Sequence, residues 1–247
     1  MTLRALTAVV AAAVALLQPD AVRALVSNGM KGSMEALRPQ IEQAIGRPLA
    51  IQFGSTASLK KRIESGEAFD LTIITTSAID DLITQGTLTR GSRVDIGRSE
   101  LGIGIRAGAP RPDIGTPAAL KKALQATTSV TYPQDGASRG TIETMFERMG
   151  IAAEMKPKIV LAPGSAAATE SVAAGRAAMV LTLFSEIVPT RGAEILGPLP
   201  GEYRSDIRFA AATSAQSRNA EAARALIAFV SGSTAASTLK AKGIEPR

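Results

Sequence analysis

The chain has 247 residues, 45% hydrophobic and 20% charged, and contains no cysteine, no histidine and no tryptophan. Without a thiol or an imidazole there can be no disulfide framework, no Cys/His zinc cluster, no cysteine nucleophile and no Ser-His-Asp relay, which leaves carboxylates, lysines and hydroxyls for any chemistry. The formal charge of +6 is dispersed over short groups (Lys60 to Arg62, Arg106 with Arg111, Lys121-Lys122) interleaved with Glu64, Glu67 and Asp70, and aromatic residues are 3% of the chain, so no nucleic-acid partner is expected.

At the amino end, Arg4 and the 13-residue apolar run Ala5 to Leu17, closed by Gln18-Pro19-Asp20, read as a secretory signal over residues 1–19. The run is too short to span a bilayer, which takes about 20 residues. Cleavage between Ala15 and Asp20 is expected, with no stable membrane insertion afterwards.

Beyond it, strands and helices alternate. Val22 to Ser27 is an apolar strand, and Met34, Leu37, Ile41 and Ile45 mark a helix stopped by Gly46, with a kink or restart expected at Pro39. The strand Leu49 to Phe53 leads through Gly54-Ser55-Thr56 into a helix over 57–65, and the strand Phe69 to Ile74 into a helix over 77–85. This order predicts a parallel sheet covered on both faces. LGIGIR, Leu101 to Arg106, is a strand whose glycines allow close backbone approach. Thr116-Pro117 starts a helix. Val130 to Tyr132, the turn Gly136 to Gly140 and a helix over 141–149 follow. The strand Ile159 to Ala162, a helix over 166–174 and the strand Ala178 to Leu183 repeat the theme. A late strand, Asp206 to Thr213, and two helices over 220–230 and 233–242 close the chain.

The concentrated chemistry lies in strand-to-helix turns: Ser27-Asn28-Gly29, Gly54-Ser55-Thr56, Thr75-Thr76-Ser77, Gly136 to Gly140 and, more weakly, Pro163-Gly164-Ser165. At the carboxyl edge of a doubly wound sheet such turns present free N–H groups and the positive ends of helix dipoles, which suit an anion. Arg139 is a fixed cation within one of them, able to pair with a carboxylate through two parallel hydrogen bonds. No Walker loop or dinucleotide fingerprint occurs, and no cofactor is expected.

The segment from Leu25 to Gly86 carries Phe53, Ser55, Thr56, Leu59, Ile63, Gly66 and Asp70 at a spacing that resembles the periplasmic substrate-binding proteins of the molybdate and sulfate type. The likeness runs more loosely through YPQDGASRGTIETMFERMGI, GRAAMVLTLFSEI and the C-terminal AARALIAFVSG. It implies an α/β, two-lobed periplasmic-binding-protein fold of type II, each lobe a mainly parallel sheet flanked by helices, joined by two crossing strands. Residues 20–102 would form the first part of lobe I, 103–208 lobe II and 209–247 the return to lobe I. The implied function is capture of a small anion in the interlobe cleft, in the periplasm, and its delivery to an ABC-transporter permease. Carried over by position, the ligand contacts are Asn28, Gly29, Ser55, Thr56, Thr75, Ser138, Arg139 and Ser165.

Two positions depart from the molybdate pattern: Gly29 stands where a serine is common, and Leu183 or Phe184 where a tyrosine is common. These departures, with Arg139, favour a small carboxylate over molybdate, tungstate or sulfate. Two other readings come from the residues. One is a cytoplasmic ligand-sensing domain of the same fold. The other is an enzyme acting on a small organic acid, with Asp70 or Glu186 as general base.

Overall fold

The computed structural model describes residues 21–247, so the expected signal segment lies outside the described residues. The first half of the chain is built of β1 (Val22–Ser27), α1 (Lys31–Ile45), β2 (Leu49–Gly54), α2 (Thr56–Glu64), β3 (Leu71–Thr75), α3 (Thr76–Thr84) and β4 (Val94–Arg106). Then come α4 (Pro117–Ala126), β5 (Val130–Pro133), α5 (Arg139–Arg148), α6 (Ala152–Met155), β6 (Ile159–Ala162), α7 (Ser165–Ala173), β7 (Met179–Leu183), α8 (Phe184–Ile187) and β8 (Ala193–Pro198). The chain ends with β9 (Asp206–Thr213), α9 (Ala220–Ser231), α10 (Ser233–Ala241) and the short β10 (Glu245–Pro246).

The strand order is β2-β1-β3-β9-β4-β7-β5-β6, with β8 and β10 also paired to β4. β1 is parallel to β2 and β3, and β5 is parallel to β6 and β7, as the alternation of strands and helices requires. β9 and β4 run antiparallel to their neighbours. β4 is the link between the halves. Its first part, Val94 to Glu100, pairs with β9, and from Leu101 onward it pairs with β7.

Alternation along β1 sorts the core. Val22, Ala24 and Val26 pack in one apolar cluster with Met34, Leu37 and Ile41 of α1, while Leu25 faces Leu59 and Ile63 of α2 and Ile79 and Leu82 of α3. β9 repeats the division, with Phe209 and Ala211 on the first face and Ala210 and Ala212 on the second. The sheet is therefore buried on both sides, which fits its continuous apolar strands.

Three local expectations change. α1 runs unbroken through Pro39, which is exposed, so the carbonyl that loses its partner can turn to solvent. β4 begins seven residues before the LGIGIR segment. Its charged first half reads poorly as a strand, but β9 on one side and β10 on the other hold it in the sheet. β8 escapes the sequence pattern as well, because it is a half-buried edge without period-two contrast.

Candidate functional site

Four strand-to-helix turns, two from each half of the sheet system, converge on one cavity. Its walls are Ser27 and Asn28 at the end of β1, Ser55 and Thr56 after β2, Pro133 with Asp135 to Ser138 from the end of β5 to α5, and Ser165 at the start of α7. Leu183, Glu186 and Phe209 complete the lining. The free volume is about 20 Å³, room for one water-sized group, so the two halves stand nearly closed upon each other. Thr56, Asp135, Gly136 and Ala137 also line an outer groove of about 520 Å³ with Thr75, Thr76, Ser77 and Arg208, which makes that groove the mouth of the cavity.

Each wall is set by local geometry. Ser55 is the cap of α2, its Oγ accepting the Ser58 N–H at 3.2 Å. Thr56 Oγ1 accepts the Thr75 N–H at 3.4 Å, which ties the second turn to the third. Ser138 is the cap of α5 but makes no side-chain bond to its own helix, so its buried hydroxyl remains available. Ser165, also buried, begins α7 behind an extended Gly164. Together these present hydroxyls and the amino ends of helices, a donor set that favours negative charge.

Of the residues expected at a ligand, Asn28, Ser55, Thr56, Ser138 and Ser165 line the inner cavity, and Thr75 lines only its mouth. Gly29 lies beneath the cavity floor rather than on it. A Cβ there would sit 2.5 Å from Phe209 Cζ and 3.2 Å from Leu183 Cδ1, so the ring from β9 fills the room a larger side chain would need.

Arg139 is not where the sequence led us to expect it. Its Nε donates to Glu143 Oε1 at 2.8 Å and its Nη1 to the Gln134 carbonyl at 2.7 Å, and it is absent from the cavity lining. The (i, i+4) spacing of Arg139 and Glu143 draws the guanidinium along the helix, where it staples the turn and stays outside the cavity lining. Tyr132 stands behind the same pair, its phenol pushed up to about 12 by burial and by Glu143.

Asp70 is likewise withdrawn from chemistry. It lies just before β3, at the end of the strand opposite Thr75, and is fully buried. It accepts the Arg23 amide and the Ser217 hydroxyl, each at 2.8 Å, and the Asn219 side-chain amide at 3.3 Å. Burial pushes its carboxyl up, but these three donors and the nearby Arg23 guanidinium outweigh it and hold the group below the ordinary aspartate value. Its role is to fasten the loop after β9 to the sheet.

Glu186 behaves oppositely. It lies in α8, on the cavity wall, and accepts the Thr182 hydroxyl. Desolvation by burial pushes its carboxyl above the usual range; Thr182, Ser165 and the Leu183 backbone counter this in part, and Asp135 adds to it. Asp135 and Phe209 are lining residues that the turn pattern missed, and Leu183 entered the sequence reading only as a departure from the molybdate pattern. Asp135 directly precedes the Gly136 turn and could be read from it, whereas Phe209 arrives from β9, 180 positions in sequence from the Gly29 it covers.

Among the described residues no group of three acidic residues is arranged to hold a metal ion. A separate groove of about 370 Å³ along Arg93, Arg98 and Arg247 is lined by strand β4, and its arginines 93 and 98 are already paired with Asp80, Asp95 and Asp206.

Comparison with known proteins agrees with this architecture. An aconitate isomerase from a Pseudomonas species is 29% identical over 227 residues, spanning 90% of this chain and 86% of that protein. The molybdate-binding protein ModA of Azotobacter vinelandii is 24% identical over 231 residues, spanning 92% of this chain and 90% of that one. The solved periplasmic molybdate-binding protein of Azotobacter vinelandii superposes with a TM-score of 0.75 at 19% identity, over 90% of this chain and 98% of the other, which fixes the fold as that of the type II periplasmic-binding proteins. The family model described as bacterial extracellular solute-binding protein matches residues 22–245, and the chain belongs to that family.

Proposed function

We propose that this protein is a receptor that closes its two halves on a small anion and hands it, in the periplasm, to the permease of an ABC transporter. The observation that carries the reading is the meeting of four hydroxyl-bearing turns from both halves of the sheet around one cavity. Ligand contacts from both halves favour the closed arrangement, and the shift can be no larger than the difference in affinity between closed and open forms. With free volume for only one water-sized group, entry requires the halves to part about β4 and β9. Export of the receptor rests on the expected signal segment and on the family.

A small carboxylate remains the preferred ligand class, on grounds other than Arg139. The cavity offers donors together with two carboxyl groups, a mixture better matched to an organic acid bearing both charge and hydroxyl or protonated oxygen than to a bare tetrahedral dianion. A thermal-shift screen of di- and tricarboxylates against sulfate, molybdate and tungstate tests this, because a ligand that binds only the native state raises its melting temperature. The largest rise is expected from a carboxylate; molybdate giving the largest rise would reverse the preference.

A second reading is supported by the relative named aconitate isomerase and by Glu186. A carboxyl that burial pushes above the ordinary carboxylate range within a ligand cavity is suited to accept and return a proton at carbon. Incubation with cis-aconitate in deuterated buffer, followed by NMR, tests it: isomer formation or deuterium entry supports turnover, and an unchanged spectrum leaves the receptor reading alone.

A further inference from the structure

An anion drawn into this cavity meets two carboxyl groups, Asp135 and Glu186, and no lysine or arginine among its lining residues. An ionised Glu186 beside the ligand would oppose binding strongly, because charges interact with little screening in a closed, poorly hydrated site. Geometry offers it no cationic partner. Thr182 donates to it from β7, Ser165 and the Leu183 backbone also bond to it, and all three are neutral.

The elements packed around α8 do not supply a free cation either. On α1, Lys31 and Glu35 pair with each other at 3.8 Å. On β4, Glu100 is held by Arg204 and Arg106 is exposed at the strand end; on β8, Glu194 is held by Arg111. Glu170 of α7 is exposed, and Lys242, after α10, lies beside Gly32 of α1. The charge acting on Glu186 is that of Asp135 across the cavity.

We propose that the cavity binds its anion together with one proton held on Glu186, so that the neutral carboxyl donates an O–H to a carboxylate or oxyanion oxygen of the ligand. The proposal deepens the anion-receptor reading and rests on it. Burial and Asp135 both push the Glu186 carboxyl toward the protonated form, and the ligand's own charge adds to them. A carboxylic acid kept neutral by its surroundings is a strong, well-directed donor. Glu186 thereby takes the part that a lysine or arginine would otherwise play, and confers a pH-sensitive grip: tight in acid, loosening as the empty site loses its proton.

Titration calorimetry with malate, cis-aconitate, sulfate and molybdate, repeated across pH and in buffers of different ionisation enthalpy, tests this. For each anion that binds, affinity should fall by about tenfold per pH unit once the empty-site Glu186 ionises, with net uptake of about one proton on binding. Glu186→Gln retains an N–H donor but cannot ionise, so its profile should be flat and its proton uptake absent; its melting curve checks that it folds. Binding whose affinity and proton uptake stay unchanged from acid to alkaline pH in the wild type, or a slope that persists in Glu186→Gln, overturns the proposal while leaving the receptor reading intact. Absence of binding by every anion at every pH overturns the receptor reading itself, and the proposal with it.

Discussion

The ring of Phe209 lies so close over Gly29 that a Cβ at position 29 would come within 2.5 Å of Phe209 Cζ. The two residues come from β9 and from the turn after β1, and their contact forms the floor on which the cavity rests. A side chain at position 29 would therefore require the Phe209 ring to shift. Gly29→Ala should destabilise the protein by about 1–3 kcal/mol through overpacking. In a Phe209→Ala background the same substitution should cost nearly nothing, and urea denaturation of the double-mutant cycle measures the difference. Equal penalties in both backgrounds would mean that the ring is not the obstacle.

Thr56→Ala and Ser138→Ala should each weaken binding of the best anion from the thermal-shift screen by about tenfold or more, since a hydrogen bond to a charged group contributes roughly 1.5–3 kcal/mol. Arg139→Ala should leave affinity within about twofold, because the guanidinium is engaged by Glu143 and Gln134 and misses the cavity. Calorimetry on the three variants separates the cases. A large loss in Arg139→Ala would place the arginine at the ligand after all.

Asp70 should make the fold acid-sensitive. Its folded carboxyl lies below the ordinary value, so the unfolded chain binds more protons through the window between the two. The stability it contributes is fully present above the unfolded value of about 3.9 and is lost as pH falls through the lower folded value. At neutral pH Asp70→Asn should cost about 1–3 kcal/mol, because an amide cannot accept all three donors with the same strength. The gap between variant and wild type should narrow on acidification, as read from chemical denaturation at a series of pH values; a constant gap would indicate a packing effect only.

Ser99 joins three distant segments. Its hydroxyl donates to the Gly243 carbonyl at 2.9 Å and accepts the Ser185 N–H at 3.0 Å, so β4 is tied to α8 and to the chain end. Ser99→Ala leaves both groups unpaired in a buried place and should cost about 1–3 kcal/mol. Gly243 has φ +77° and a Cβ there would lie 2.8 Å from Ser185 N, so Gly243→Ala should disturb the same junction. Hydrogen exchange at the Ser185 amide should quicken in both variants; unchanged protection would show the tie to be dispensable.

Much of this molecule was legible from local pattern. Period-two and period-3.6 apolar spacing located β1 to β3, their helices and the βαβ units of the second half, because alternation and helical spacing are properties of a few consecutive residues. Small hydroxyl and glycine residues at strand ends marked four of the turns that meet at the cavity, since those residues are what helix starts require.

Only the tertiary structure decided which side chains meet. The first half of β4 and the edge strand β8 are strands because neighbours far away in sequence pair with them, not because their own residues alternate. Arg139 was drawn to Glu143 one helical turn on, Asp70 was closed off by Ser217 and Asn219 from beyond β9, and Glu186 and Phe209 were brought to the cavity by β7 and β9. The sequence determined what each turn could donate. Where the chain crosses itself determined what stands opposite, and with it whether a charged group faces a ligand, a partner or the core.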